Sequence, residues 1–585
     1  IDGTGTLVYG IFDDVDVRSE ARFDDLTTEF TQVTLDAEHS FSDSVRVHGL
    51  AGFAESNHEN PIQTTLLFDA NNIDGYTYDY RGDDRLPLIT YGATDVTSPA
   101  TWTLSQIRLR PQSSINSFST FSADLEYSAS ESFGVQFGAQ WKEYEFKTTE
   151  QRRSNGTTAN LETVIPANVA ATPVASYSEL TTFGDGLGVP SGTPTTWLIP
   201  DLNAAASLFG LYDPSVFRMG IEPALGNNAT IKEEDTGGWV QFDWNVEMLG
   251  RPLRGNVGVR YVETKQETTG YTFTSGSPLL QTVERTYDNT LPSLNMVFEA
   301  TDEFLIRIGA AKTMTRPPLG NLSPGAVVSV SGNNRTVTAG NPQLDPFEAD
   351  NYDLAFEWYF AEESLVAVAL FYKDIGSFIQ TIRSTMPFTG NPLGLPDSVA
   401  IAACGATPGC TPDADWQFSL PANTPGGELK GFEISYQQPF TFLPAPFDGF
   451  GAILNYTGVE SDVQYLDATG AVVTTANLTG LSESAYNATI YFENERFSAR
   501  VSAAYRDEYL TTVPGRNGND IEGTAETLNI DAAASFTLND NIEFTLEALN
   551  LTDEFQDQWV DSLGDRLSYY HHTGREYFLG ARFRF

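Results

Sequence analysis

Hydrophobic and polar residues alternate along most of this chain with a period of two, in segments of about ten residues, the length a tilted strand needs to cross a bilayer. In 240–248, Val240, Phe242, Trp244, Val246 and Met248 fall on one side of an extended backbone, and Gln241, Asp243, Asn245 and Glu247 on the other. The split recurs at 528–538, where Leu528, Ile530, Ala532, Ala534, Phe536 and Leu538 oppose Asn529, Asp531, Ser535 and Thr537. It recurs again at 542–548, where Ile542, Phe544, Leu546 and Ala548 oppose Glu543, Thr545 and Glu547. Segments 121–128, 133–142, 256–262, 293–299, 351–360 and 497–506 follow the same rule. One side suits lipid and the other water. Helical periodicity is nearly absent; DLNAAASLFGLY at 201–212 reads as a short helix capped by Asp201 within a long loop, placed to act as a lid or to pack that loop.

Alternation alone fits a soluble sandwich as well as a membrane barrel, so the connections decide. Very short polar turns are expected at Ser42-Asp43, Ser130-Glu131-Ser132, Thr301-Asp302-Glu303, Glu362-Glu363, Asn494-Glu495-Arg496 and Asn539-Asp540-Asn541. The intervening connections are long: about 57–115, 149–232, 316–349, 379–427, 466–480, 514–525 and 554–571. Short turns at one end and long loops at the other are the mark of an outer-membrane barrel, and the fold class expected is all-β, an antiparallel transmembrane β-barrel. Its last strand alternates Tyr577, Leu579, Ala581, Phe583 and Phe585 with Phe578, Gly580, Arg582 and Arg584, and ends on an aromatic. Reading backward from Phe585 to a first confident strand at 29–41 gives about 17 strands, with part of another expected in 5–12. An odd count does not close a bacterial barrel of the usual kind, so further strands are expected from a missing segment or a second polypeptide.

The charge narrows the partners. Lys plus Arg number 33 against 78 Asp plus Glu, a net −45, which excludes nucleic acid as a main partner. No apolar run reaches 18 residues, which removes a transmembrane helix and leaves the barrel untouched. No nucleophile elbow, P-loop, H-E-x-x-H or dinucleotide fingerprint is present, so no enzyme is expected and no catalytic residue is assigned. His571 and His572 are adjacent and would point to opposite faces of a strand, so no metal site and no cofactor are expected. A loop-bound divalent cation, bridging acidic outer loops to lipopolysaccharide, is the one ion contemplated. Asp36, Glu38, Asp124, Glu126, Asp243, Glu247, Asp531, Glu543 and Glu547 should line a hydrated lumen. Cys404 and Cys410 enclose Gly405-Ala406-Thr407-Pro408-Gly409 in a long outer connection, an oxidising setting in which a local disulfide is expected. The loop aromatics Trp102, Trp197, Trp416, Trp559, Tyr569 and Tyr570 are the candidate ligand-binding residues, since exposed rings stack on sugars; simple loop packing is the competing reading.

Several stretches carry a family resemblance: GNPQLDPFEADNYDLAFEWYF at 340–360, LFYKDIGSFI at 370–379, LKGFEISYQQPF at 429–440, GLSESAYNATIYFE at 480–493, YRDEYL at 505–510, EALNLTDE at 547–554 and TGREYFLGARFRF at 573–585. Through them the chain resembles the TonB-dependent outer-membrane receptors, specifically the subgroup typical of Caulobacter-like and Xanthomonas-like bacteria. The resemblance implies a 22-stranded barrel closed by a plug behind a Ton box, with 29–41 as the sixth strand and the plug and earlier strands upstream of Ile1. It implies an active transporter that binds a scarce nutrient in its outer loops and imports it with energy from the inner-membrane TonB complex. An oligosaccharide or glycan fragment is the first substrate expected, an iron–siderophore complex the alternative, and a passive porin or adhesion barrel the reading from another class.

Overall fold

A computed structural model describes residues 1–585 apart from 4, 84, 185, 275–276, 332–333, 406, 408, 517 and 564–565. Among the described residues the wall contains 17 strands: β1 (Val15–Ser42), β2 (Val45–Ile73), β3 (Gln112–Ser130), β4 (Phe133–Glu150), β5 (Ala229–Met248), β6 (Arg251–Thr274), β7 (Ser277–Glu299), β8 (Phe304–Thr315), β9 (Phe347–Ala361), β10 (Ser364–Pro387), β11 (Gly427–Pro439), β12 (Phe450–Leu466), β13 (Ser484–Glu493), β14 (Phe497–Arg506), β15 (Thr527–Asn539), β16 (Ile542–Leu549) and β17 (Glu576–Phe583). Each pairs antiparallel with the next in chain order. They curl into a barrel, whose sheet also takes in five strands of the connections, Thr103–Leu109, Ala326–Ser331, Asn334–Ala339, Asp415–Thr424 and Val472–Ala476. Its seam lies between β1 and β17, which pair with β2 and β16 and, among the register pairs of the described residues, not with each other. Every residue of β1 from Asp25 to Ser42 is exposed. Loops from the two sides of the seam meet where Arg85 Nε lies 2.6 Å from Asp557 Oδ2.

The alternation sorts the faces as the pattern requires. Val240, Phe242 and Met248 on β5, and Val257, Val259 and Tyr261 on β6, are exposed apolar side chains that form a belt near the turn end of the wall. The opposite face carries the inward carboxylates. His48 lies between Asp36 (2.8 Å) and Asp124 (3.1 Å), and Arg46 between Glu38 and Glu126, so charges from β1, β2 and β3 share one side of the sheet. Among the described residues no helix is long and apolar enough to cross a membrane.

Glycines in one strand sit opposite aromatic rings in the next. Trp239 pairs with Gly138, Trp244 with Gly255, Phe371 with Gly431, Phe432 with Gly458, and Tyr491 with Gly451. A methyl group on Gly138 would meet the Trp239 ring at 2.5 Å and one on Gly255 the Trp244 ring at 2.6 Å. These pockets exist only because the glycine lacks a side chain.

All six expected short turns lie at one end of the barrel. A seventh short turn is Leu249-Gly250 between β5 and β6; both residues have left-handed backbone (φ 56° and 73°), the geometry of a two-residue hairpin turn, and leucine gives no sequence signal for it. At the other end the expected loop boundaries shift, because wall strands run on past the apolar belt. β1 starts at Val15 rather than 29, β2 reaches Ile73 rather than 56, and β10 reaches Pro387 rather than 378. Residues 9–12, expected as part of a wall strand, instead form a small loop sheet with Tyr76–Asp79 and Leu88–Tyr91.

The long connections are folded, and the hydrophobic cores of the molecule lie within them. One core gathers Leu66, Phe68, Trp102, Ile107, Tyr177, Phe209 and Leu211, and a second Val337, Phe388, Cys404, Trp416 and Phe418. The 202–209 helix forms as expected: the Asp201 side chain accepts from Ala204 N at 2.9 Å, and Gly210 ends it in the left-handed region. Ala205 and Phe209 bury it in the first core, so it packs its loop.

Candidate functional site

A cavity of about 880 Å3 opens at the loop end of the barrel. Its walls are built by Asp16, Arg18 and Asp69 on the extended tips of β1 and β2, by the strand 103–109 with Arg110, by 152–163, by the turn at 222–227, by the hairpin strand 326–331, and by Val399, Ala402, Ala403 and Thr407. Four long connections therefore converge on it: 57–115, 149–232, 316–349 and 379–427.

Four arginines line the cavity in a chain that carries far more acid than base. The alternation I-R-L-R over 107–110 puts Arg108 and Arg110 on one face of the strand, and Arg18 lies on β1 beyond β2. Arg110 forks onto Glu162 at 2.7 and 2.7 Å. Burial opposes charge on Glu162, but the Arg110 fork outweighs it and holds the carboxyl below its ordinary range. Arg18 binds Asp69 at 2.8 and 3.3 Å, and Arg152 binds Glu150 at 2.5 Å. Arg108 differs: it donates to the Gln106 amide oxygen at 2.9 Å and lies 4.0 Å from Glu162. Burial and then the neighbouring Arg110 push its guanidinium below the ordinary arginine value. Behind the cavity Arg153 donates to the carbonyls of Ile107 and Val164 and lies over the Phe217 ring, and burial lowers it to about 10.

A second polar cluster lies on the lumen face, just beyond the apolar belt toward the loops. Arg316 binds Asp235 Oδ1 at 2.7 Å and donates to Thr264 Oγ1 at 3.0 Å, while its Nε is 4.0 Å from Glu233 Oε2. Glu233 and Asp235 are 2% and 1% exposed. Burial pushes Glu233 up to about 7, Arg316 opposing and Asp235 adding to the effect. Next to it, Gln266 donates to the Pro342 carbonyl at 2.9 Å and Arg285 to that of Leu344 at 2.6 Å, fastening the GNPQLDP stretch at 340–346 to the wall.

The six candidate aromatics fall into three separate places. Trp102 is 3% exposed and donates to the Val96 carbonyl; Trp197 is half-buried beside it, at 6.4 Å between ring centroids. Trp416 is fully buried against Phe388, its indole N–H donating to Thr411. Trp559 is buried against Gly523. Tyr569 is 54% exposed, and Tyr570 stacks with His572. Loop packing claims Trp102, Trp416 and Trp559, because a large ring is the cheapest way to close a small loop core. Cys404 and Cys410 are joined as a disulfide at the end of the 397–404 helix; Ala406 and Pro408 inside that ring lie outside the described residues. His571 and His572 sit on opposite faces, with Tyr569 and Tyr570 respectively. Among the described residues no group of three or more His, Cys, Asp or Glu could hold a metal. The arginine-lined cavity was missed in the sequence, although I-R-L-R at 107–110 and Q-R-R at 151–153 stand out in so acidic a chain.

No curated protein matches this sequence. Among solved structures the chain is similar to the ferric-catecholate import receptor Fiu from E. coli K12 at 14% identity, covering 98% of this chain and 82% of that one, with a TM-score of 0.48. It is similar to the ferric yersiniabactin uptake receptor FyuA from Yersinia pestis at 9% identity, 99% and 80% coverage and a TM-score of 0.45. It is likewise similar to the copper transporter OprC at 10% identity, 98% and 80% coverage and a TM-score of 0.48. Residues 55–551 match the family model of the TonB-dependent receptor-like β-barrel. The chain therefore belongs to the TonB-dependent receptor family and is a β-barrel of the outer membrane.

Proposed function

We propose that this barrel imports a small, oxygen-rich polar solute across the outer membrane, capturing it in the loop-end cavity and drawing on the TonB complex through a plug in the lumen. The long connections face the outside and the short turns the periplasm. The observation that carries the reading is the cavity itself, walled by four separate connections and lined by arginine, asparagine, glutamine, serine and threonine side chains beside Asp16, Asp69, Glu162 and Glu222. Such a lining offers donors to a ligand's oxygen atoms. Both an oligosaccharide and an iron–siderophore complex answer that description. The burial of Trp102, Trp416 and Trp559 weighs against a sugar platform built from those rings, and leaves Trp197, Tyr569 and Tyr570 as the candidates for ligand stacking.

The test is uptake by cells that express the receptor, supplied with single labelled solutes, with and without a functional TonB complex. Accumulation that needs both receptor and TonB supports the reading. Entry that is unaffected by loss of TonB would mean a passive pore.

A further inference from the structure

We propose that Arg108 is the oxyanion-recognising residue of the loop-end cavity, and that the solute captured there presents a carboxylate to it. This deepens the function proposed above and rests on that reading of the cavity.

Charges around the cavity are paired almost throughout. Arg18, Arg110 and Arg152 each have a carboxylate, from Asp69, Glu162 and Glu150. Glu222 is held by Arg218 and Ser154, and Asp16 at the far rim accepts from the Asn72 backbone N–H. Among the described lining residues Arg108 is the cation whose contact with an acid is longest. Its Nε is engaged by Gln106, its nearest carboxylate oxygen is 4.0 Å away and belongs to the group Arg110 already grips, and its two terminal nitrogens make no hydrogen bond among the described residues. Arg110 repels it more than Glu162, Glu20 or Arg18 affect it. A guanidinium in this state is planar, permanently charged and largely withdrawn from water, and the group that matches it is a second planar group with two acceptor oxygens. The Gln106 contact holds the side chain from its stem side, which leaves the fork for a ligand. The overall charge of −45 does not oppose this, since surface charge is screened within about 10 Å at 0.1 M salt.

The experiment uses the full chain purified in detergent micelles and calorimetric titration with citrate as the carboxylate probe, inorganic phosphate as a second oxyanion and maltotriose as a neutral probe. Saturable citrate binding is expected, weakened roughly ten- to a hundred-fold in Arg108→Gln, the range for a charge-assisted hydrogen-bonded pair. Arg108→Lys should fall between the two, because an ammonium supplies the charge without the fork. Arg251→Gln at the turn end should bind as the unaltered protein does. Retained β-sheet circular dichroism in both Arg108 variants separates lost recognition from lost folding. Equal citrate affinity in Arg108→Gln, tighter binding of phosphate or maltotriose than of citrate, or no citrate binding at all would each overturn the proposal. TonB-independent uptake alongside intact, Arg108-dependent citrate binding would instead overturn the transport reading and leave the site standing.

Discussion

Glu233 gives the strongest handle on the energetics of this wall. The perturbation is Glu233→Gln, which keeps the shape of the side chain and removes its ability to ionise. In the folded protein burial raises the carboxyl to about 7 from an ordinary 4.5, while Arg316, 4.0 Å away and already bound to Asp235, offsets the burial only in part. A difference of that size corresponds to about 3 kcal/mol. Below pH 4.5 the group is protonated in folded and unfolded chains alike and costs nothing. Between 4.5 and 7 the unfolded chain releases the proton while the folded one keeps it, so stability falls as pH rises; above 7 the full cost is present. Seventy-eight acidic residues give the whole protein its own pH dependence, so the quantity to follow is the difference between variant and unaltered protein. Urea unfolding in lipid vesicles, followed by tryptophan fluorescence at pH 4.5, 6, 7 and 8.5, supplies it. Glu233→Gln should match the unaltered protein at pH 4.5 and exceed it by about 3 kcal/mol at 8.5. A difference that does not change with pH, or a variant less stable at pH 8.5, would show that Arg316 keeps this carboxylate ionised and that burial does not dominate.

Phe544→Arg or Leu546→Arg, in the apolar belt on β16, should cost about 2–4 kcal/mol in the same assay, whereas Glu547→Gln on the other face should change stability little. Trp416→Ala should cost about 3–5 kcal/mol, because the ring is completely buried; limited proteolysis should then open the 379–427 connection first. Protease added to intact cells should cut only in the loops, and preferentially at exposed stretches outside their cores such as 468–473; a cut at Leu249-Gly250 would mean the barrel is inserted the other way round.

The wall was legible because its physics is local. A residue such as Phe242 must face lipid and Asp243 water, so the alternation survives in the sequence whatever the neighbouring strands do. The loop end was not, and for a consistent reason. Past the apolar belt, strands such as β2 are covered on both faces, so L-L-F at 66–68 is buried throughout and the period of two disappears where the strand itself continues. Trp102 and Trp416 read as surface rings because they sit among polar residues in sequence, while the contacts that bury them come from Trp197 and Phe388, distant in the chain or across a helix. The cavity has the same character: Arg18, Arg108 and Arg152 are brought together only by pairing across β2 and by the fold of the 149–232 connection.

The glycine and aromatic pairs across the wall act as keys cut for single locks. If β5 slid by one residue against β4, the Trp239 ring would face Phe137 or Ala139 in place of Gly138, and the same slip against β6 would take Trp244 off Gly255. Insertions and deletions in the wall are thereby penalised at several points at once. The long connections are held in another way, by bonds such as those of Gln266 and Arg285 to the 340–346 stretch and by buried cores shared with the strand tips. The architecture is thus a socket whose register is set by shape and whose mouth is set by packing among the connections, so a new ligand preference is installed by changing side chains that line the cavity, without re-cutting the sheet.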